Sequence, residues 1–380
     1  MSTTHNRPRR AAAIALIAGS LGLALPALGQ GTPPAARPVP SSTSGATPPS
    51  LPTPKATAKE RNAALEYVKA RELLELNKEF NEVWLAEYKS GHEEPPSERL
   101  AIALEDNQDL ISRVIAASRV PHYDMQIRYE EGFNVLLPHL GHCRQFARIL
   151  VADARRLANA GRSDDAAERL TACLRISRHL VEDRVLISSL VSIAIASLAN
   201  RYVEIMAVDG VLTDHGRGEY IKAARAFLTR DPFGIKACLA TERSLALNSM
   251  KPHIEGRGAL AGKNLAAELK ELQLSKELGS HLEPLSEDQL NEQLDLMNRY
   301  YAALISAWDL PDADTRLAEI GVRLEKGDFG VLTKEVGPAL VRCRISQRKA
   351  IKETTDLIAL LEADAAPRPV PEAVEAPTGE

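Results

Sequence analysis

The chain holds 380 residues, of which 44% are hydrophobic, 26% charged and 4% aromatic, with a formal net charge of −4. That mildly acidic balance argues against nucleic acid as a partner. The four cysteines, Cys143, Cys173, Cys238 and Cys343, have no C-x-x-C spacing, so zinc and dithiol motifs are absent.

The amino terminus reads as an export signal. Arg7, Arg9 and Arg10 form a positive n-region, residues 11–25 an apolar stretch, and Ala27-Leu28-Gly29 a small-x-small cleavage site. Cleavage would make Gln30 the first residue and remove those three arginines, taking the charge from −4 to −7. The Arg9-Arg10 pair hints at a twin-arginine route, and no cysteine stands near the cut for a lipid anchor. A retained signal anchor is the competing reading. Residues 30–56 carry eight prolines and, as charges, only Arg37 and Lys55, too little apolar content to fold. This stretch is expected to be a disordered spacer. The membrane is then met only through the signal before its removal, and the mature protein sits in the periplasm or cell envelope.

The folded part divides into a main helical domain at 57–250 and a C-terminal helical region at 251–364. Thr57 and Glu60 read as a capping box opening a helix to 89, with Leu65, Val68, Leu76, Phe80 and Val83 inward. A second helix spans 97–117, burying Leu100, Leu104, Ile111, Val114 and Ile115. Residues 120–137 are irregular and dense in aromatics, with Tyr123, Tyr129 and Phe133.

The chain is organised around 138–208, which reads as helices 138–160, 164–182 and 185–208. The first two form an antiparallel hairpin. Cys143, Ala147, Leu150, Ala154 and Leu157 line one face, and Ala167, Leu170, Leu174, Ser177 and Val181 face them. Gly161 ends the first helix, and Ser163 is expected to cap the second. Folding at that turn pairs Leu157 with Ala167, Ala154 with Leu170 and Leu150 with Leu174, and sets Cys143 opposite Val181. On this register Cys143 and Cys173 stand eight residues, about 12 Å, out of step, too far for a disulfide. The third helix has no charged residue from Val185 to Asn200 and carries a small strip at Ser188, Ser192 and Ala196. Its uncharged run is shorter than the roughly 20 residues of a membrane span. It is read as a core helix around which the hairpin and later helices pack, with Leu190 among its buried residues.

Residues 209–218 read as a loop. Helices follow at 219–229, 232–250 (opened by Asp231-Pro232), 260–282, 287–309 (with a Ser286/Gln289 capping box), 313–326 and 338–362. Residues 365–380, with four prolines, read as a disordered tail. No stretch alternates polar and apolar residues as a strand would. The fold class is therefore all-α, a solenoid-like stack of helical hairpins around a buried apolar helix.

Several runs carry a resemblance: Leu137-Pro138-His139-Leu140, Arg144, Ala147-Arg148-Ile149-Leu150, Ala154-Arg155-Arg156-Leu157, Arg178-His179-Leu180 and Leu186-Ile187-Ser188-Ser189-Leu190. Together they resemble a group of uncharacterised exported helical proteins from planctomycete bacteria. The hairpin, with Gly161 at its turn and Ala167 beyond, is similar to a tetratricopeptide unit, although no second copy stands at a 34-residue period. The resemblance implies an envelope location and a helical-repeat shape, and brings no activity.

No catalytic motif is present. His139 and His142 are one turn apart, with His122 and Asp124 upstream, but they make only half a ligand set, so no metal and no cofactor is expected. Both rings are placed on the first-turn surface. His179 and Asp183 stand at i, i+4, which reads as an ordinary helix-surface pair. Residues 138–184 contain nine arginines and no lysine, a bias that suits bidentate carboxylate pairing. Internal pairing with Asp153, Glu168, Glu182 and Asp183 is one outcome. The other is a binding groove for an acidic partner at Arg144, Arg148, Arg155, Arg175 and Arg178. Function then reads as an exported, non-enzymatic scaffold that binds an envelope protein. The alternatives are an enzyme with a dispersed site near His139, His142 and the arginines, or a binder of envelope polymer or lipid.

Overall fold

The structure, a computed structural model, describes residues 61–88, 96–271 and 276–364. The expected signal, linker, Thr57/Glu60 capping box and C-terminal tail lie outside those residues. Among the described residues every regular element is helical, and one isolated bridge joins Asn62 to His122.

Helix α1 (Ala63–Leu76) starts at Asn62, whose side chain accepts from the Ala64 amide and donates to the Asp124 carbonyl at 2.7 Å. The single helix expected over 57–89 is interrupted at Asn77. Its side chain accepts from the Phe80 amide at 2.9 Å and opens α2 (Lys78–Tyr88). The helix expected over 97–117 is interrupted at Asn107, between α3 (Glu98–Asp106) and α4 (Gln108–Ser118), where the side chain caps no amide and donates back to the Ala103 carbonyl at 2.7 Å. The two asparagines bond to each other at 2.6 Å. Short polar side chains compete with the helix for backbone partners, and here that competition sets two breaks inside continuous apolar periodicity. The face of α1 is also rotated from expectation. Leu65 and Leu76 are exposed, while Ala63, Ala64, Tyr67, Ala70 and Leu74 are buried, the alanines lying where α4 packs close. Phe80, Val83 and the five expected residues of the second helix are buried.

The central stretch forms α5 (Pro138–Asn159), α6 (Ser163–Val181) and α7 (Leu186–Val208). Gly161, at φ +74°, turns the chain, and the Arg162 amide returns to the Leu157 carbonyl at 2.9 Å, a Schellman closure. Ser163 is the first helical residue and not the cap. Leu150, Ala154, Leu157, Ala167, Leu170 and Leu174 are all buried along the seam. Cys173, expected opposite position 151, points its thiol at the Ala147 carbonyl, 3.5 Å away. That oxygen faces the amide of residue 151 within the helix, so the contact lies at the expected level of the hairpin.

In α7 the strip Ser188, Ser192 and Ala196 is buried, and Leu190 and Leu198 are half-buried. This is the one described helix long and apolar enough to cross a membrane, and 67% of its apolar window is buried in the fold. Ser177 and Ser192 each donate to the other's carbonyl at 2.8 Å, locking α6 to α7. α6 is enclosed more completely than α7, although it carries the charges, because α4, α5, α7 and α8 (Asp214–Ala224) all pack on it. The start of α8 fell in the expected loop 209–218. Thr213 caps it, and Gly216 sits where an added Cβ would stand 2.8 Å from the Ala167 Cβ, so its glycine serves close packing.

Beyond it come α9 (Ile235–Ile254), α10 (Ala261–Glu271), α11 (Lys276–Leu282), α12 (Glu287–Ala307), α13 (Ala313–Glu325) and α14 (Gly330–Asp364). The Ser286/Gln289 capping box is present. Asp231 holds the start of α9 by accepting from the Ile235 and Lys236 amides. α14 runs through Gly337-Pro338, where a break was expected. One buried apolar cluster extends from Ala63 to Leu361, and α14 returns to pack on α7, α12 and α13.

Candidate functional site

Ionisable and aromatic side chains converge where α1, the 120–135 loop, the start of α5 and the end of α6 meet. The Val120 carbonyl can only accept, so the 2.9 Å contact from His179 Nε2 makes that nitrogen the protonated one. Nδ1 then accepts from the Tyr67 hydroxyl at 2.9 Å. Burial pulls the His179 pKa down to about 4, so the ring is neutral at pH 7. Tyr123 stacks on it at 5.3 Å and an interplanar angle of 3°, and Tyr67 meets it edge-on. His179 and Asp183 are therefore not the surface pair expected from their spacing. Both are buried, and Asp183 takes its hydrogen bond from His139 Nε2 at 2.8 Å. His139 is buried as well, correcting its expected surface position. The Tyr129 hydroxyl donates to the Asp183 carbonyl at 2.5 Å. The Tyr123 hydroxyl lies near the Asp183 carboxylate without a hydrogen bond of good geometry, and burial raises its pKa.

His139 and His142 border a cleft between α1 and α5 of about 40 Å³, backed by Tyr67, Tyr123 and Phe146. His142 is half-buried at the mouth, 3.7 Å from Glu75, and Glu75 also approaches Arg71 at 3.6 Å. Burial and the neighbouring Arg71 charge lower the His142 pKa. A carboxylate-oriented histidine is the frame of a general base. The cleft, however, has room for water-sized groups only, against several hundred Å³ for a substrate site. Cys143, on the cleft wall, is no nucleophile because burial pushes its thiol far up. Among the described residues no group of three or more His, Cys, Asp or Glu is arranged to hold a metal.

Of the five arginines of the expected groove, three lie along α5 and two on α6. Arg144 is exposed, and Arg148 and Arg155 are half-buried further along α5, with Arg155 5.4 Å above the Tyr202 ring. Arg175 binds Glu168 at 2.7 Å. Arg178 donates to the Pro232 carbonyl at 3.0 Å and lies over Phe227. The fully buried Asp153 is held by two different arginines, Arg156 and Arg169, and Gln108 bonds both Asp153 and Arg169. His122 and Asp124 anchor the start of α1 through Asn62.

Sequence reasoning missed two features. Tyr67 and Asp183 enter the cluster through contacts across 112 and 44 residues, which no local pattern signals. The second is a wider groove of about 450 Å³ between the 309–314 turn and α14, bordered by Arg230, Arg344, Arg348 and Lys352. Arginine and lysine at 344, 348 and 352 recur every fourth residue, a signal legible in the sequence. No family model, curated protein or solved structure matches this chain.

Proposed function

We propose that the chain is a non-catalytic helical scaffold of the cell envelope that binds another protein after export. One observation carries this reading. Where ionisable groups converge, the His179 nitrogens, His139 Nε2 and the Tyr67 and Tyr129 hydroxyls are engaged inside the fold, around a cleft of only about 40 Å³. Such a cluster cements α1, α5 and α6 and leaves the outer helix faces for recognition. The N-terminal signal pattern and the resemblance to exported helical proteins support the location. A second reading, an enzyme at the His139 cleft, draws on the Asp183–His139 bond. Crosslinking and capture from envelope extract, with intact-mass analysis of the recovered chain, separates them. The scaffold reading expects a chain beginning at Gln30 and a stoichiometric partner still captured by a His139→Gln variant. No partner, together with a cellular phenotype lost in that stably folded variant, would favour the enzyme.

A further inference from the structure

The groove beside α14 contains an arginine that the fold holds but does not satisfy. Arg344 rests over Trp308 at 4.8 Å. A guanidinium has five N–H donors. Here Nε is buried without a hydrogen bond, 3.6 Å from Asp314, and Nη1 reaches the neutral Gln347 amide oxygen only at 3.4 Å. Gln347 is itself fixed by Asp231 at 2.6 Å. The other cations have acids of their own: Arg348 has Asp314, Arg230 and Lys236 share Asp309, and Lys352 has Asp356. Asp314 thus serves two arginines, and Asp231 and Asp309 also act on Arg344. Arg230, Lys236, Arg344 and Arg348 still outnumber Asp231, Asp309 and Asp314 by one, which leaves a surplus positive charge at the groove.

Depth and spacing narrow the ligand. Arg344 is only 19% exposed, whereas Arg348 and Lys352 are 58% and 76% exposed towards the mouth. A flat anionic surface would reach the outer two and miss the first. Positions 344, 348 and 352 lie about 6 Å apart along the helix. Alternate side chains of an extended peptide recur about every 6.6 Å, nearly in step. Arginine matches a carboxylate through two parallel hydrogen bonds. We propose that this groove binds an extended acidic peptide segment with carboxylates at alternate positions, the innermost on Arg344. The assignment rests on the scaffold reading and gives its partner a chemistry.

The test is fluorescence anisotropy of the full mature chain with a labelled peptide carrying glutamate at every second position, against the same peptide with glutamine. The glutamate peptide should bind at least about tenfold more tightly, since the pairing is charge-assisted. Arg344→Met should weaken it by a similar factor. Because Arg344 also packs on Trp308, the double variant Arg348→Gln/Lys352→Gln at exposed positions is the second probe, with an unchanged melting temperature and several-fold weaker binding. Equal affinity for the two peptides, or binding indifferent to the double variant, overturns the proposal. So does tight binding to phosphatidylglycerol vesicles with none to the peptide. If the envelope partner is captured equally by the double variant and the parent, the groove assignment fails and the scaffold reading stands. Capture by neither removes the scaffold reading itself.

Discussion

His179 makes the sharpest demand on the stability of this protein. It is buried among Tyr67, Tyr123 and the Val120 carbonyl, and it is neutral in the folded state because its environment offers a proton nothing to replace water. Its pKa stands at about 4 when folded against 6.5 when unfolded. Above pH 6.5 both states carry a neutral ring and the cluster contributes its full stability. Below 6.5 the unfolded chain takes up a proton that the folded chain refuses, so stability falls with pH until about 4, where the folded ring is protonated too. At roughly 1.4 kcal/mol per tenfold change in proton affinity, that interval amounts to about 3 kcal/mol. For a typical domain this is a large fraction of the 5–15 kcal/mol total, approximately. Carboxylates titrate in the same range, so the comparison needs a variant. His179→Gln keeps a donor towards Val120 and cannot titrate. Urea unfolding at pH 7, 6, 5 and 4 should show the parent losing about 3 kcal/mol more than the variant over the series. A difference below about 1 kcal/mol, or an imidazole resonance of His179 titrating near 6.5 in the folded protein, would refute the burial argument.

Three further outcomes follow from particular contacts. Asp153→Ala should cost about 3–5 kcal/mol in chemical denaturation because it strands the Arg169 guanidinium, while Asp153→Leu with Arg169→Met should cost far less. Gly262→Ala, which on helix propensity alone would stabilise by about 1 kcal/mol, should instead destabilise by at least 2 kcal/mol, roughly. Its Cβ would lie 2.2 Å from the Leu282 carbonyl oxygen and 2.6 Å from that of Leu285, and the thermal melt reads the sign. The cysteines are all buried free thiols, with Cys343 pushed up to about 12 and the others higher. Native protein should therefore resist a thiol reagent for hours and yield four reactive groups in denaturant. Fast labelling of the native state, or a Cys143–Cys173 bridge in non-reducing peptide maps, would contradict this packing.

The sequence by itself determined the helices of the central stretch, because their periodicity, the Gly161 stop and the uncharged run of α7 are local properties that read the same in any fold. It also determined the all-α class and the buried strip Ser188, Ser192 and Ala196. Tertiary structure decided which way each helix turns. Leu65 and Leu76 were indistinguishable by pattern from core residues. The alanine face of α1 is inside because α4 comes close there, and periodicity does not encode that approach. Asn77 and Asn107 break their helices as a mutually bonded pair, each an ordinary residue until the other is near. Spacing groups the hairpin arginines by angle, and contacts then part neighbours on α6: Arg175 takes an acid of its own helix, Glu168, whereas Arg178 takes the Pro232 carbonyl 54 residues on. Asp183 had a histidine four residues before it, yet it bonds the one 44 residues away. Burial removes water as a partner, so a polar side chain takes whichever donor the packing of helices brings to it, and that choice belongs to the folded chain.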